Sequence, residues 1–307
     1  MEPGEGANAV KLFIVGGAGQ LGSELRAVLA AGHRVAAPDH CAAPLEDAGR
    51  LRAAIEAFEP DIVINSAGAT DVDACEADPQ AAFRLNSAGA ALLSAICRDV
   101  GAQSWYVSTD YVFDGDGSRP FAEDDRTNPV NVYGMSKIAG ELATRNDRAG
   151  GVVVRVGGLY GGSPCRGKGG GNFITRIVAA ARSHGRVRVV DDEHVTPTCA
   201  RDAARQIAAM IETGVAGGVY HATSRGACTW HDFAVEILTR LDIAVPVERV
   251  RAADTPGKAP RPSFCVLENR RLGALGIDRM PAWQDGLARF LSEEGAQLAG
   301  SSVAVTK

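Results

Sequence analysis

Tyr133 and Lys137 stand four residues apart in "NVYGMSKIAGE", Asn131 to Glu141, a stretch otherwise made of small residues and one carboxylate, Glu141, that reads as exposed. On a helix such positions share a face one turn apart, so a phenol and an ammonium would stand side by side. That pair is a proton donor tuned by a neighbouring cation. Taken alone, the spacing reads first as a surface helix whose tyrosine packs on its own turn while the lysine faces water. Earlier in the chain "GGAGQLG" places Gly16, Gly19 and Gly22 as GxxGxxG directly after an apolar run. A dinucleotide pyrophosphate needs a turn without β-carbons, so that backbone N–H groups approach it, followed by a positively polarised helix N-terminus. A tight strand-to-helix connection would favour the same glycines.

The elements that must hold these residues alternate. The runs KLFIVGG, HRVAAP, DIVINSAG, WYVST, GVVVRV and GGVYHAT read as strands. Between them lie helices at QLGSELRAVLAAG, LRAAIEAF, AAFRLNSAGAALLSAICRDVG, Gly134 to Arg145, and DAARQIAAMIETG. The strands are near-continuous apolar runs, so both faces are buried, which means a parallel sheet with helices on each side. In the first helix Leu21, Leu25, Val28 and Leu29 form one stripe, and Gly32 is placed to end it in the left-handed conformation. Further helices are expected near ITRIVAAAR, WHDFAVEILTRL and Trp283 to Glu294, with a Pro-rich basic stretch from about Asp254 to Arg271. In a doubly wound sheet, ligands sit outside the carboxyl ends of the strands. The glycine turn, "NSAGATDVDACE" and "STDYVFDGDG" all lie at such ends, so Thr109, Tyr133 and Lys137 can meet around one small ligand. Asp39, expected at the end of the second strand, suits ribose hydroxyls and NAD, whereas Arg34 and His40 would suit the 2′-phosphate of NADP.

The totals are those of an ordinary globular chain. Of 307 residues, 46% are apolar and 22% charged, enough for a large core. Lys+Arg 32 against Asp+Glu 37 gives a net charge of −5 with no basic run, so nucleic acid is not an expected partner. Apolar stretches break well before the roughly 20 residues of a bilayer span, so no membrane association is expected. The acidic, Gly-rich opening reads as a loose tail rather than a secretion signal. Seven scattered cysteines without a CxxC pair suggest reduced, mostly buried thiols and a cytoplasmic protein.

Taken with "VDACE", "VSTDYVFDG", "RVGGLYG", "GGNF", "VVDDEHVTPT", "GGVYHATSRGACTWHDFA" and "APRPSF", these motifs resemble the dTDP-4-dehydrorhamnose reductase family of extended short-chain dehydrogenase/reductases, from about Lys11 to Phe290. The resemblance implies an α/β fold, a doubly wound Rossmann sheet binding NADP or NAD with a smaller C-terminal α/β domain for a nucleotide sugar, and commonly a homodimer. Residues 10–160 would form the cofactor domain, with about 187–222 returning to it; 161–298 would be mainly the substrate domain, and 1–9 and 299–307 flexible tails. By motif match Thr109, Tyr133 and Lys137 are catalytic. Gly16, Gly19, Gln20, Leu21 and Gly22 would line the pyrophosphate turn, and Ser66, Ala67 and Thr70 the cofactor-facing loop. The reaction implied is reduction of the C4 ketone of a dTDP-4-dehydro-6-deoxysugar.

Asp110, Tyr111, Asn172 and Arg261 are candidate substrate contacts, with Lys168 a further donor to the second pyrophosphate. Asn172 could instead cap the helix at "FITRIV", and Arg261 could be a solvated charge. Trp230 reads as core at a helix start. No metal site is expected: acids matching Glu24 and Asp192 bridge a divalent ion in some members, but here read as solvated or salt-bridged carboxylates. Gly158 departs from the family, which often carries an aromatic there that would lie against the sugar. Competing readings are a sugar-nucleotide epimerase or 4,6-dehydratase, the latter lacking its base because Tyr111 follows Asp110, and a non-catalytic partner similar to the β subunit of methionine adenosyltransferase.

Overall fold

A computed structural model describes residues 9–146, 150–163, 171–255 and 257–300 of the chain. The strands are β1 (Lys11–Val15), β2 (Arg34–Ala36), β3 (Ile62–Asn65), β4 (Gln103–Thr109), β5 (Val152–Val156), β6 (Leu159–Tyr160), β7 (Val187–Val190), β8 (His194–Val195), β9 (Thr198–Cys199), β10 (Gly218–His221), β11 (Cys228–Thr229), β12 (Val247–Val250) and β13 (Phe264–Cys265). The helices are α1 (Gln20–Leu29), α2 (Ala48–Phe58), α3 (Val72–Ala77), α4 (Pro79–Phe83), α5 (Gly89–Val100), α6 (Val132–Arg145), α7 (Phe173–His184), α8 (Ala200–Thr213), α9 (Trp230–Arg240), α10 (Arg270–Ala274) and α11 (Trp283–Gly300). Six parallel strands form the main sheet in the order β10-β5-β4-β3-β1-β2.

Alternation within β1 shows why the sheet needs cover on both faces. Leu12 and Ile14 join Leu21, Leu25 and Leu29 of α1 and Ala203, Ala204 and Ile207 of α8. Phe13 and Val15, pointing the other way, join Leu51 and Ile55 of α2 and Leu93 and Ile96 of α5. Chain growth reverses between β1 and β3, which opens a crevice at their carboxyl ends. The glycine turn, the loop after β3 and the end of β4 all emerge there.

Three local features differ from the sequence expectation. Helix α1 stops at Leu29 with Ala30 as a right-handed cap, and Gly32 does not take a positive φ. The turn closes instead through Gly32 N–H and His33 N–H, both donating to the Leu29 carbonyl. The helix expected across "AAFRLNSAGAALLSAICRDVG" is divided by a π-helical turn, Arg84–Ala88, before α5 ends at Gly101 with φ 76°. "VDACEA", expected within a loop, forms the short helix α3, with Asp71 accepting from Ala74 N–H at its start.

The second half builds small sheets from short strands: β7 with β12, β8 between β11 and β13, and β6 with β9. Of residues 187–222, α8 and β10 lie on the main sheet, whereas β7 pairs with β12. An aromatic cluster of Tyr160, Phe233, Trp283 and Phe290 fills this half, with Phe173 and Trp230 packed against it and their own ring centroids 4.6 Å apart. Helix α11 runs past Glu294 to Gly300, and residues 1–8 and 301–307 lie outside the described residues.

Candidate active site

Helix α6 begins at Asn131, whose side chain accepts from Gly134 N–H at 2.8 Å. Gly134 is needed there: a β-carbon would lie 2.1 Å from the Tyr111 carbonyl oxygen. The first turn of α6 is thereby pressed onto the chain leaving β4, and the Tyr133 and Tyr111 rings meet edge to face at 5.9 Å and 71°. One turn on, Lys137 is buried and its Nζ donates to the Val107 carbonyl at 2.7 Å, two residues before Thr109. The same Nζ lies 4.0 Å over the centroid of Tyr106. Burial pulls the Lys137 ammonium down from 10.5 to about 7, against the opposing pull of Glu141.

Thr109 ends β4 with its hydroxyl donating to Asp110 Oδ1 at 2.8 Å and accepting from Tyr111 N–H at 3.2 Å. The Asp110 carboxylate is buried, and a β-carbon on Gly157 would lie 2.6 Å from its Oδ2. Asp110, expected to touch substrate, therefore spends its carboxylate inside the protein, orienting Thr109. Burial, its largest influence, pushes the Tyr111 phenol well above its ordinary range and keeps it a neutral donor.

A chain of close approaches joins the glycine turn to this cluster. Gly16 has φ 82°, and a β-carbon there would lie 2.6 Å from Ala67 N. Ser66 Oγ donates to the Val15 carbonyl at 2.8 Å, locking the loop after β3 against the turn. In that loop a β-carbon on Gly68 would lie 3.7 Å from Lys137 Nζ and 2.8 Å from Asn86 Oδ1. The turn thus offers a surface without β-carbons: Gly22 approaches Gly16 so closely that its β-carbon would fall 2.1 Å from the Gly16 oxygen. Gly19, the first residue before α1, has no side-chain cap, which leaves the helix N-terminus open toward an anion. Buried Gln20 Nε2, at the start of α1, and Asn65 Nδ2, at the end of β3, have no hydrogen-bond partner among the described residues. A dinucleotide fits this donor set. Leu21 is buried under the turn as core, and Thr70 is half-buried at the end of the loop. Asp39 lies beyond β2 and is exposed, its Oδ1 accepting from Ala42 N–H at 2.9 Å.

Comparison with known proteins decides the family. The model of the RmlD substrate binding domain matches residues 10–295. The chain belongs to that family. This RmlD-family chain is 37% identical over 284 residues to a dTDP-4-dehydrorhamnose reductase of Streptomyces griseus, covering 90% of this chain and 91% of that one. It is 36% identical over 281 residues to a dTDP-4-keto-6-deoxy-D-glucose reductase of Streptomyces niveus, covering 90% and 95% respectively. Its structure matches the dTDP-4-dehydrorhamnose reductase of Bacillus anthracis in complex with NADP with a TM-score of 0.88, at 30% identity, over 93% of this chain and 100% of that one.

Several residues of this RmlD-family site were not legible in the sequence. Glu141, read as an exposed carboxylate, is 2% exposed. Arg155 grips it through Nε at 2.9 Å and Nη2 at 2.7 Å, and Ser108 Oγ donates to it at 2.6 Å. His221 Nδ1 faces the Glu268 carbonyl at 3.0 Å and so carries the proton of the neutral ring, leaving Nε2 to accept from Arg155 Nη1 at 3.4 Å. Burial first, and then Arg155, push His221 down to about 3, so it stays neutral. Asn86 lies in the π-helical turn, where Oδ1 accepts from Ala69 N–H and Nδ2 donates to the Ala69 carbonyl and to Ser136 Oγ. It pins the loop after β3 to α6.

Asn172, an expected substrate contact, is the N-cap of α7: Oδ1 accepts from Thr175 N–H at 3.1 Å, and Nδ2 donates to the Gly161 carbonyl at 2.8 Å. Arg261 is bidentate to Asp73, with Nη2 at 3.0 Å from each carboxylate oxygen. Its segment is tied over the start of α6 by Asn131 Nδ2 donating to the Pro260 carbonyl at 2.9 Å. Glu193, unremarked in the sequence, is buried, and its carboxyl is raised chiefly by that burial. Lys168 lies outside the described residues. Gly158 has φ 54°, and a β-carbon would lie 2.9 Å from the Thr196 oxygen, so this backbone disfavours the aromatic that the family resemblance implies there. Glu24 accepts from Arg201 Nε at 2.9 Å, and Asp192 accepts from Ala252 N–H at 2.9 Å, each carboxylate engaged locally.

Proposed function

We propose that the protein reduces the C4 ketone of a dTDP-4-dehydro-6-deoxysugar, with Thr109, Tyr133 and Lys137 as its catalytic residues. The observation that carries the reading is the seating of Lys137 on Val107, with Tyr133 one turn earlier on the same helix face and Gly68, in the loop locked against the glycine turn, beside the Lys137 ammonium. NADPH or NADH bound along that turn supplies the hydride. The chain's part is to hold and move the proton. A phenol ordinarily keeps its proton at neutral pH, and that of Tyr133 delivers it to the ketone oxygen. The Lys137 ammonium, when protonated, favours the phenolate left behind and is placed to bond a ribose hydroxyl, fixing the ring that faces the substrate. The Thr109 hydroxyl, turned from Asp110 to the ketone oxygen, stabilises charge growing there.

The sugar is the open variable, since relatives of near-equal identity carry names for different ketosugars. The backbone-enforced Gly158 supports a roomier pocket than in relatives with an aromatic. On this reading the enzyme is cytoplasmic and acts as a homodimer. Exposed Met135 and Leu142, seven residues apart on α6, and Phe83 on α4 offer apolar surface for a second copy to cover. Purified protein assayed with several dTDP-4-ketosugars and both reductants tests the assignment: ketone-dependent oxidation of NADPH or NADH is expected. No oxidation with any of them, alongside retained cofactor binding, would favour the non-catalytic partner reading.

A further inference from the structure

Away from the catalytic cluster, β7 delivers Asp191 to the point where β11 passes into α9, whose first residues include His231 and Asp232. One ligand atom from each of these three side chains lies within 4.8 Å of the others. His231 is 5% exposed, and its Nε2 faces the Val247 carbonyl at 3.2 Å. Facing a carbonyl, Nε2 is the proton-bearing nitrogen of the neutral ring, in which Nδ1 offers its lone pair. That Nδ1 is shielded from solvent and has no hydrogen-bond partner among the described residues. It points between two carboxylates, 3.7 Å from Asp232 Oδ1 and 3.9 Å from Asp191 Oδ1. Both separations are too long for a hydrogen bond. Two donors bound tetrahedrally to one ion at 2.0–2.2 Å stand about 3.4 Å apart, so both separations from Nδ1 lie within about half an ångström of that spacing.

The carboxylates are already oriented from behind. Asp232 Oδ2 accepts from Thr229 N–H at 3.2 Å as part of the α9 cap, leaving Oδ1 toward the ring. Asp191 Oδ1 accepts from Thr229 Oγ1 at 2.9 Å, while its Oδ2 is paired with Arg249. Such outer hydrogen bonds fix ligands in metal sites. Arg249 and the α9 N-terminus oppose a cation, which keeps affinity moderate. One imidazole with two carboxylates suits a first-row transition dication better than Mg²⁺ or Ca²⁺.

We propose that Asp191, His231 and Asp232 form a site for a divalent transition-metal ion such as Zn²⁺, clamping the start of α9 to the end of β7. The test is calorimetric titration of metal-stripped full-length protein with Zn²⁺, and of the same protein with Co²⁺ by visible absorption. One ion per chain is expected, with Co²⁺ bands of a low-coordinate N/O site. Asp232→Asn keeps an oxygen for the helix cap and should remain folded by circular dichroism, yet weaken Zn²⁺ roughly tenfold or more. His231→Gln should abolish the Co²⁺ bands. Failure of the wild-type protein to bind either ion, or binding unchanged in folded Asp232→Asn, would overturn the proposal.

Discussion

Lys137 reaches from α6 to the carbonyl of Val107, so its ammonium is held at 2.7 Å from a strand that ends two residues later at Thr109. Because burial lowers this group from 10.5 to about 7, the unfolded chain holds a proton between those pH values that the folded chain has released. Stability owed to this residue therefore rises with pH over that window, by at most about 1.4 kcal/mol per unit. Lys137→Met lacks the effect. In urea unfolding at pH 7 and pH 9.5, the wild type should gain on the variant at the higher pH; a constant difference would contradict the buried, lowered ammonium.

The Thr109 hydroxyl is the second donor in the proposed chemistry. Thr109→Val keeps the shape and removes that donor, and should lower kcat about 100-fold, the scale seen for single donors to a developing oxyanion. Thr109→Ser should stay near wild type. Equal kcat for Val and wild type would remove Thr109 from the mechanism.

Arg155 and Glu141 form a bidentate pair in which both side chains are almost fully buried. Arg155→Met strands the carboxylate and should cost about 3–5 kcal/mol in chemical denaturation. Adding Glu141→Met should recover much of the loss. A single-variant cost below about 1 kcal/mol would show that water reaches the pair.

Gly22→Ala places a β-carbon 2.1 Å from the Gly16 oxygen and should weaken NADPH binding at least about tenfold in a fluorescence titration. Gly32→Ala, with open space around its β-carbon, serves as the control and should bind as wild type. Equal affinity in both variants would place the cofactor elsewhere.

The central strands and the Tyr133–Lys137 pair were legible because they rest on local period. β1, β3 and β5 are short apolar runs, and a YxxxK spacing is one helical turn. What escaped depends on partners distant in sequence. Glu141 reads as surface until Arg155 and Ser108 are brought to it, and His231 reads as an ordinary helix residue until Asp191 arrives from 40 positions earlier. Asn172 takes the capping role that its place ahead of "FITRIV" also allowed, whereas the bond from Thr109 to Asp110 was not legible from residue type alone.

The central claim is that the Tyr133 phenol is the proton donor. The most direct measurement compares Tyr133→Phe with wild type in single-turnover ketone reduction, beside cofactor affinity by fluorescence. A fall in the rate of at least about 100-fold with NADPH affinity unchanged is the expected result. A Phe variant that reduces the ketone at the wild-type rate would contradict it.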